Sequence, residues 1–134
     1  MCIFCKIANK EIPCYKVYED DLFLAFLDIS QATKGHTLVI PKKHYQNLFE
    51  LDENVKSSYL NVIQKVGLAI KKATNCEGIN ILNNNGEAAG QSVFHCHIHI
   101  IPRYSNDSLK IEFGSIETSK EDFELLQNNI LKNI

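Results

Sequence analysis

The stretch Phe94-His95-Cys96-His97-Ile98-His99-Ile100-Ile101 is the most informative part of the chain. Histidines alternate with other residues along it, and a period of two is the period of a β-strand. Read as one strand from Val93 to Ile101, closed by Pro102, it turns His95, His97 and His99 to one face. Phe94, Cys96, Ile98 and Ile100 then face a core. Neighbouring histidines would stand roughly 6.5 Å apart at about 3.3 Å rise per residue. Packing gives no reason for three imidazoles in strict alternation. A solvated polar face rich in histidine is the bland reading. The chemical ones are a metal site sharing several imidazoles and a nucleophile flanked by supporting imidazoles.

The loop just upstream, residues 83–91, helps to separate them. Gly86, Gly90, Gln91 and the following Ser92 are small or polar, and their backbone N–H groups can approach an anion closely. Such a loop ahead of a row of imidazoles suggests a phosphate held beside a nitrogen nucleophile. Imidazole suits that task, because much of it is unprotonated near neutral pH.

Working outward, residues 17–27 read as two short strands broken at Glu19-Asp20-Asp21, and Gly35 opens a third strand, 36–40, ended by Pro41. The period then changes. Val55, Tyr59, Val62, Ile63, Val66, Ile70 and Ala73 recur at three and four, which predicts an amphipathic helix from Asp52 to Thr74, with Asp52 as N-cap. Gly78 precedes a fourth strand, 79–82, and the tail predicts a second amphipathic helix over 119–131, opened by Ser119 and Asp122. Strands in succession with two helices argue for an α+β fold: an antiparallel meander of about five strands, a central helix and a C-terminal helix. One domain of 134 residues is expected, with residues 1–104 as its body and 105–134 as its tail.

Composition bounds the partners. Fourteen Lys and Arg stand against sixteen Asp and Glu, for a formal net charge of −2, so no basic excess points to nucleic acid. No apolar run approaches the roughly 20 residues that span a bilayer, and residues 1–6 do not read as a signal peptide. A cytoplasmic protein is expected. Five cysteines, an odd number, argue against a disulfide framework there. Cys2-x-x-Cys5 has three readings: a redox dithiol, which would need a strand ahead of it; half of a tetrahedral metal site; or two buried thiols.

His95-Cys96-His97-Ile98-His99-Ile100-Ile101 fits the signature of the histidine-triad superfamily, with Cys96 taken as apolar. Residues 24–29, 35–44 and 90–93 also resemble its small nucleotide-binding members, in the right order and over about the first 104 residues. The resemblance implies that His97 attacks the α-phosphorus of a nucleotide and forms a covalent nucleotidyl-histidine, which water then cleaves. His99 would contact phosphate and help protonate the leaving group, and His36 would support the triad. Asn84, Gln91 and Ser92 would hold the α-phosphate, Asp28 the ribose hydroxyls, and Ile3, Phe4, Phe26 and Leu27 the base, with a purine expected. Some members bind zinc through residues matching Cys2, Cys5, His44 and His95, which implies one structural zinc per chain. A homodimer is implied too. The unusually wide apolar surface of the central helix (Tyr59, Leu60, Val62, Ile63, Val66, Leu68) suits a second contact.

His99 stands where the nucleotidyl transferases of the superfamily carry glutamine, which disfavours that branch. Length and loop composition favour hydrolysis of nucleoside 5′-phosphoramidates. A dinucleoside polyphosphate hydrolase and a non-catalytic nucleotide-binding scaffold are the alternatives. A zinc-dependent interaction module would leave Asp28 and Gly90-Gln91-Ser92 idle.

Overall fold

A computed structural model describes residues 2–134. In chain order the elements are α1 (Ile3–Ala8), β1 (Lys16–Glu19), β2 (Phe23–Leu27), β3 (Thr37–Pro41), α2 (Glu53–Thr74), β4 (Gly78–Leu82), β5 (Ile98–Arg103) and α3 (Lys120–Lys132). The fold is α+β, and the five strands form one antiparallel sheet in the order β1-β2-β3-β5-β4. β5 thus inserts between β3 and β4, a single departure from a simple meander. No helix among the described residues is long and apolar enough to cross a membrane.

Alternation along β2 and β3 builds two cores, one on each side of the sheet. Phe23, Ala25 and Val39 join Val55, Tyr59, Val62, Val66 and Ile70 of α2. Leu24, Phe26, Leu38 and Ile40 face the other way and pack on Phe4 of α1. Each large apolar side chain buried this way contributes about 1.5–3 kcal/mol. The Asp52 carboxylate caps α2 by accepting the Val55 N–H and also takes the Tyr45 hydroxyl at 2.6 Å. Asn75, in the left-handed region at φ 53°, ends it. Gly35 lies at φ +98°, and a Cβ there would meet Thr74 at 3.0 Å and Pro102 at 3.1 Å. Only glycine fits where the β2–β3 loop passes the end of α2.

Two sequence expectations are corrected. α1 has no counterpart among the predicted elements: its six residues are too few to show a period, and its cap is the Cys2 thiol, which accepts the Cys5 N–H. The histidine strand begins at Ile98 rather than Val93, and Phe94 is 42% exposed rather than in a core. The cause lies in β3. Pro41 has no N–H to donate, and its carbonyl accepts from His95 Nε2 at 2.8 Å. Cys96 instead donates its N–H to the Tyr45 carbonyl, beyond the end of β3, at 2.7 Å. Residues 93–97 therefore lie outside the ladder, and Pro102, expected to close the strand, is inside it.

Candidate active site and adjoining metal cluster

Although the ladder starts late, the alternation of faces survives. Phe4 packs edge-on against His95 and His97, and the His97 and His99 rings lie 5.0 Å apart. Cys96 points the opposite way into the core beneath α2, where burial pushes its thiol up to about 11. That sulfur is inert packing.

Backbone groups assign the proton on each ring, since a carbonyl can only accept and an N–H can only donate. His97 Nδ1 lies 2.7 Å from the His95 carbonyl, so Nδ1 carries the hydrogen and Nε2 keeps its lone pair. Asn83 donates to the His97 carbonyl at 2.9 Å and fixes the same residue from its other end. His95 donates from Nε2 to Pro41, leaving its Nδ1 lone pair free to ligate. The Ala32 N–H donates to His36 Nδ1 at 3.1 Å, which places the His36 proton on Nε2. His36 Nε2 is 2.9 Å from His99 Nδ1. His99 accepts there, so its own proton sits on Nε2.

Burial lowers the pKa of His36, partly offset by the Asp28 charge and the Ser30 backbone. Burial, with the neighbouring His97 and His36, brings His99 down to about 4. Both rings are neutral at pH 7. Asp28 Oδ2 lies 3.7 Å from His36 Nε2, while its Oδ1 accepts the Ser30 N–H. Asp28, His36 and His99 are close enough to hold a cation. A metal on His36 Nε2 would force the ring hydrogen onto Nδ1, against the Ala32 N–H. His36 instead donates its one ring hydrogen to His99, with the Asp28 carboxylate standing beside that pair.

Cys2, Cys5, His44 and His95 form the second cluster. The sulfurs are 3.2 Å apart, the sulfur-to-Nδ1 distances run from 3.3 to 3.6 Å, and the two Nδ1 atoms are 3.3 Å apart. Zinc bonds of about 2.3 Å to sulfur and 2.0–2.1 Å to nitrogen give tetrahedral edges of roughly 3.3–3.8 Å. All six edges are near those lengths, and two thiols and two imidazoles cannot satisfy six such contacts with hydrogen bonds. The donor set fits one tetrahedral cation.

The remaining sequence candidates fall into three places. Ser92 is exposed and Asn84 half-buried beside Gly90, at the mouth of the loop. Gln91 is buried, and its amide is engaged within the structure: Oε1 accepts from Gly86, and Nε2 donates to Gln46 and Val93. Phe4 and Phe26 are buried edge to face, Leu27 is half-buried and Ile3 exposed. Sequence reasoning missed Ala32, Asn83 and the carbonyls of Pro41 and Tyr45. These act through backbone or a single amide, and no pattern marks them.

Residues 9–106 match the HIT domain. The chain belongs to the HIT family. Protein hit of Bacillus subtilis strain 168 is 52% identical over 130 residues, which cover 95% of this chain and 88% of that protein. Adenosine 5′-monophosphoramidase hnt1 of Schizosaccharomyces pombe is 42% identical, with 99% of this HIT protein and 98% of the yeast protein covered. The crystal structure of a HIT family member from Bacillus subtilis superposes with a TM-score of 0.93 at 48% identity, covering 99% of this chain and 96% of that one.

Proposed function

We propose that this HIT protein hydrolyses nucleoside 5′-phosphoramidates, or closely related nucleotide conjugates, at the α-phosphate. The observation that carries the reading is the His97 ring, whose Nδ1–H is held by the His95 carbonyl so that Nε2 presents a lone pair. Nε2 attacks phosphorus; a nitrogen–phosphorus bond forms as the bond to the leaving amine breaks. His99 offers its Nε2 proton to the departing nitrogen. Water then attacks the nucleotidyl-histidine and returns one proton to His99, releasing the nucleoside monophosphate and restoring both rings. Ser92 and Asn84 hold the phosphoryl oxygens, and Gln91 keeps the loop closed around them. Asp28 accepts from the ribose hydroxyls. Phe4, Phe26, Leu27 and Ile3 form the wall for a purine base. The yeast relative, a monophosphoramidase by name, supports this choice of leaving group.

Incubation with adenosine 5′-phosphoramidate tests the proposal. AMP should appear, and faster than from a diadenosine polyphosphate at equal concentration. If neither compound yields AMP, the protein is not this hydrolase.

Zinc is the proposed occupant of the Cys2, Cys5, His44 and His95 cluster, with a structural role. Its full shell leaves no position for substrate, and the tie it makes joins α1 to the triad segment. We also propose a homodimer. Leu60 and Leu68 on α2 are 74% and 53% exposed, and Ile81 on the edge strand β4 is 51% exposed. They rim an open hollow of about 450 Å³ floored by Gly67 and Ile79. A conventional interface of roughly 1,600 Å² would cover this face. Light scattering at micromolar concentration should give twice the monomer mass; the monomer mass alone would reject it.

A further inference from the structure

The protonation chain that ends on His99 begins in the loop between β2 and β3, and one side chain ties the two ends of that loop together. Gln31 Nε2 donates to the Asp28 carbonyl and, at 2.7 Å, to the His36 carbonyl. Its Oε1 accepts the Gly35 N–H at 2.8 Å. The amide thus joins both ends of the loop, beyond the last backbone bond, Asp28 N–H to the His36 carbonyl at 3.0 Å. Ala32 is the next residue, and its N–H is the group that meets His36 Nδ1. Within the turn the His36 N–H also donates to the Thr33 carbonyl, and the Thr33 hydroxyl donates to the carbonyl of Pro102. Those two bonds hold Thr33; Gln31 is the side chain that ties the Asp28 end to the His36 end.

We infer that Gln31 is a positioning residue: by clamping this loop it keeps the Ala32 N–H on His36, and so keeps the proton of His99 on Nε2. The inference rests on the proposed role of His99 as donor to the leaving group. The physical chain is short. Neutral imidazole has one hydrogen and two sites for it, which differ little in energy when nothing else intervenes. An N–H aimed at Nδ1 of His36 excludes one of its two forms. The Nε2–H that results excludes one form of His99 in turn. Without the clamp, Ala32 drifts from His36, both rings sample both forms, and a fraction of the protein presents a lone pair to the leaving group where a hydrogen is needed. Gln31 itself is exposed, and the Asp28 carboxylate is held separately by the Ser30 N–H, so binding should be spared.

Ring tautomers read by two-bond ¹H–¹⁵N correlation in the ligand-free protein, together with kcat and KM, test this. In the unaltered protein His36 and His99 should both show the Nε2–H form. In Gln31→Ala the two rings should show mixed forms, kcat should fall about tenfold, and KM should change by less than about twofold. Gln31→Glu keeps the length and the oxygen facing Gly35 but sets a carboxylate against two carbonyls, and should act in the same direction. His97, whose hydrogen is fixed by the His95 carbonyl, should stay Nδ1–H throughout, which separates a local relay from general loosening. The proposal is overturned if His99 carries its proton on Nδ1 in the unaltered protein. It is also overturned if both variants keep their tautomers, or if the tautomers shift while kcat does not. Tautomers are read without substrate, so failure of the hydrolase reading would leave the tautomer arm of this test intact.

Discussion

Replacing His97 with alanine should lower the turnover of adenosine 5′-phosphoramidate by about a thousandfold or more, while AMP affinity changes by only a few-fold. The asymmetry follows from what the ring does. Its Nε2 lone pair forms the bond that the mechanism requires, whereas the ribose and base contacts assigned to Asp28, Phe4 and Phe26 belong to other residues. Intact-mass analysis of the unaltered protein, acid-quenched during turnover, should show a single nucleotide adduct on a peptide containing His97 and none on His95 or His99. His97→Gly should recover part of the rate when imidazole is supplied in solution. Near-normal turnover in either variant would end the covalent mechanism. An adduct on His99 would reassign it.

The second large effect concerns metal. One zinc per chain should be found in purified protein, and prolonged chelation should remove it with a fall in melting temperature. A tie worth about 3 kcal/mol corresponds to a drop of about 10 °C in a domain of this size. Cys2→Ser and Cys5→Ser should reproduce that fall. In both, amide signals from α1 and from His95 should move together, because the cluster is what joins them. Metal-free protein of unchanged stability would refute the structural role. A Cys2→Ser variant that loses turnover but keeps its melting temperature would show that the ion takes part in the reaction.

Much of this architecture is legible in the sequence for identifiable physical reasons. The 22 residues of α2 repeat their apolar period often enough to outweigh the glycine within them, and Asp52 marks the start by its chemistry. Strands β2 and β3 stand out through their turns. The His95–His99 alternation survives even though its first half is off the ladder, because two cores, one on each side, still draw Phe4 to the imidazoles and Cys96 to α2. What escapes the sequence depends on long-range partners. Nothing in residues 93–97 reveals that Pro41, 54 positions before His95, removes the donor that would have extended the strand. Nor does Phe94 announce that it is exposed, since it belongs to the same alternating run. The Gln31 clamp is one ordinary residue in a polar loop, visible only once both ends of that loop are in place.

The C-terminal helix has a consequence of another kind. None of the side chains of α3 is buried, and Phe123, Leu126 and Ile130 stand open along it. A helix of thirteen residues is near the length at which local preference alone barely sustains it in water. Its Ser119 cap and the Lys120–Glu124 ion pair add only a little. If the second copy of the proposed homodimer lies against this segment, that support weakens on dilution by mass action. The body of the protein carries its own two cores. Body and tail then differ in what sustains them, the first its own two cores and the second contacts from outside them.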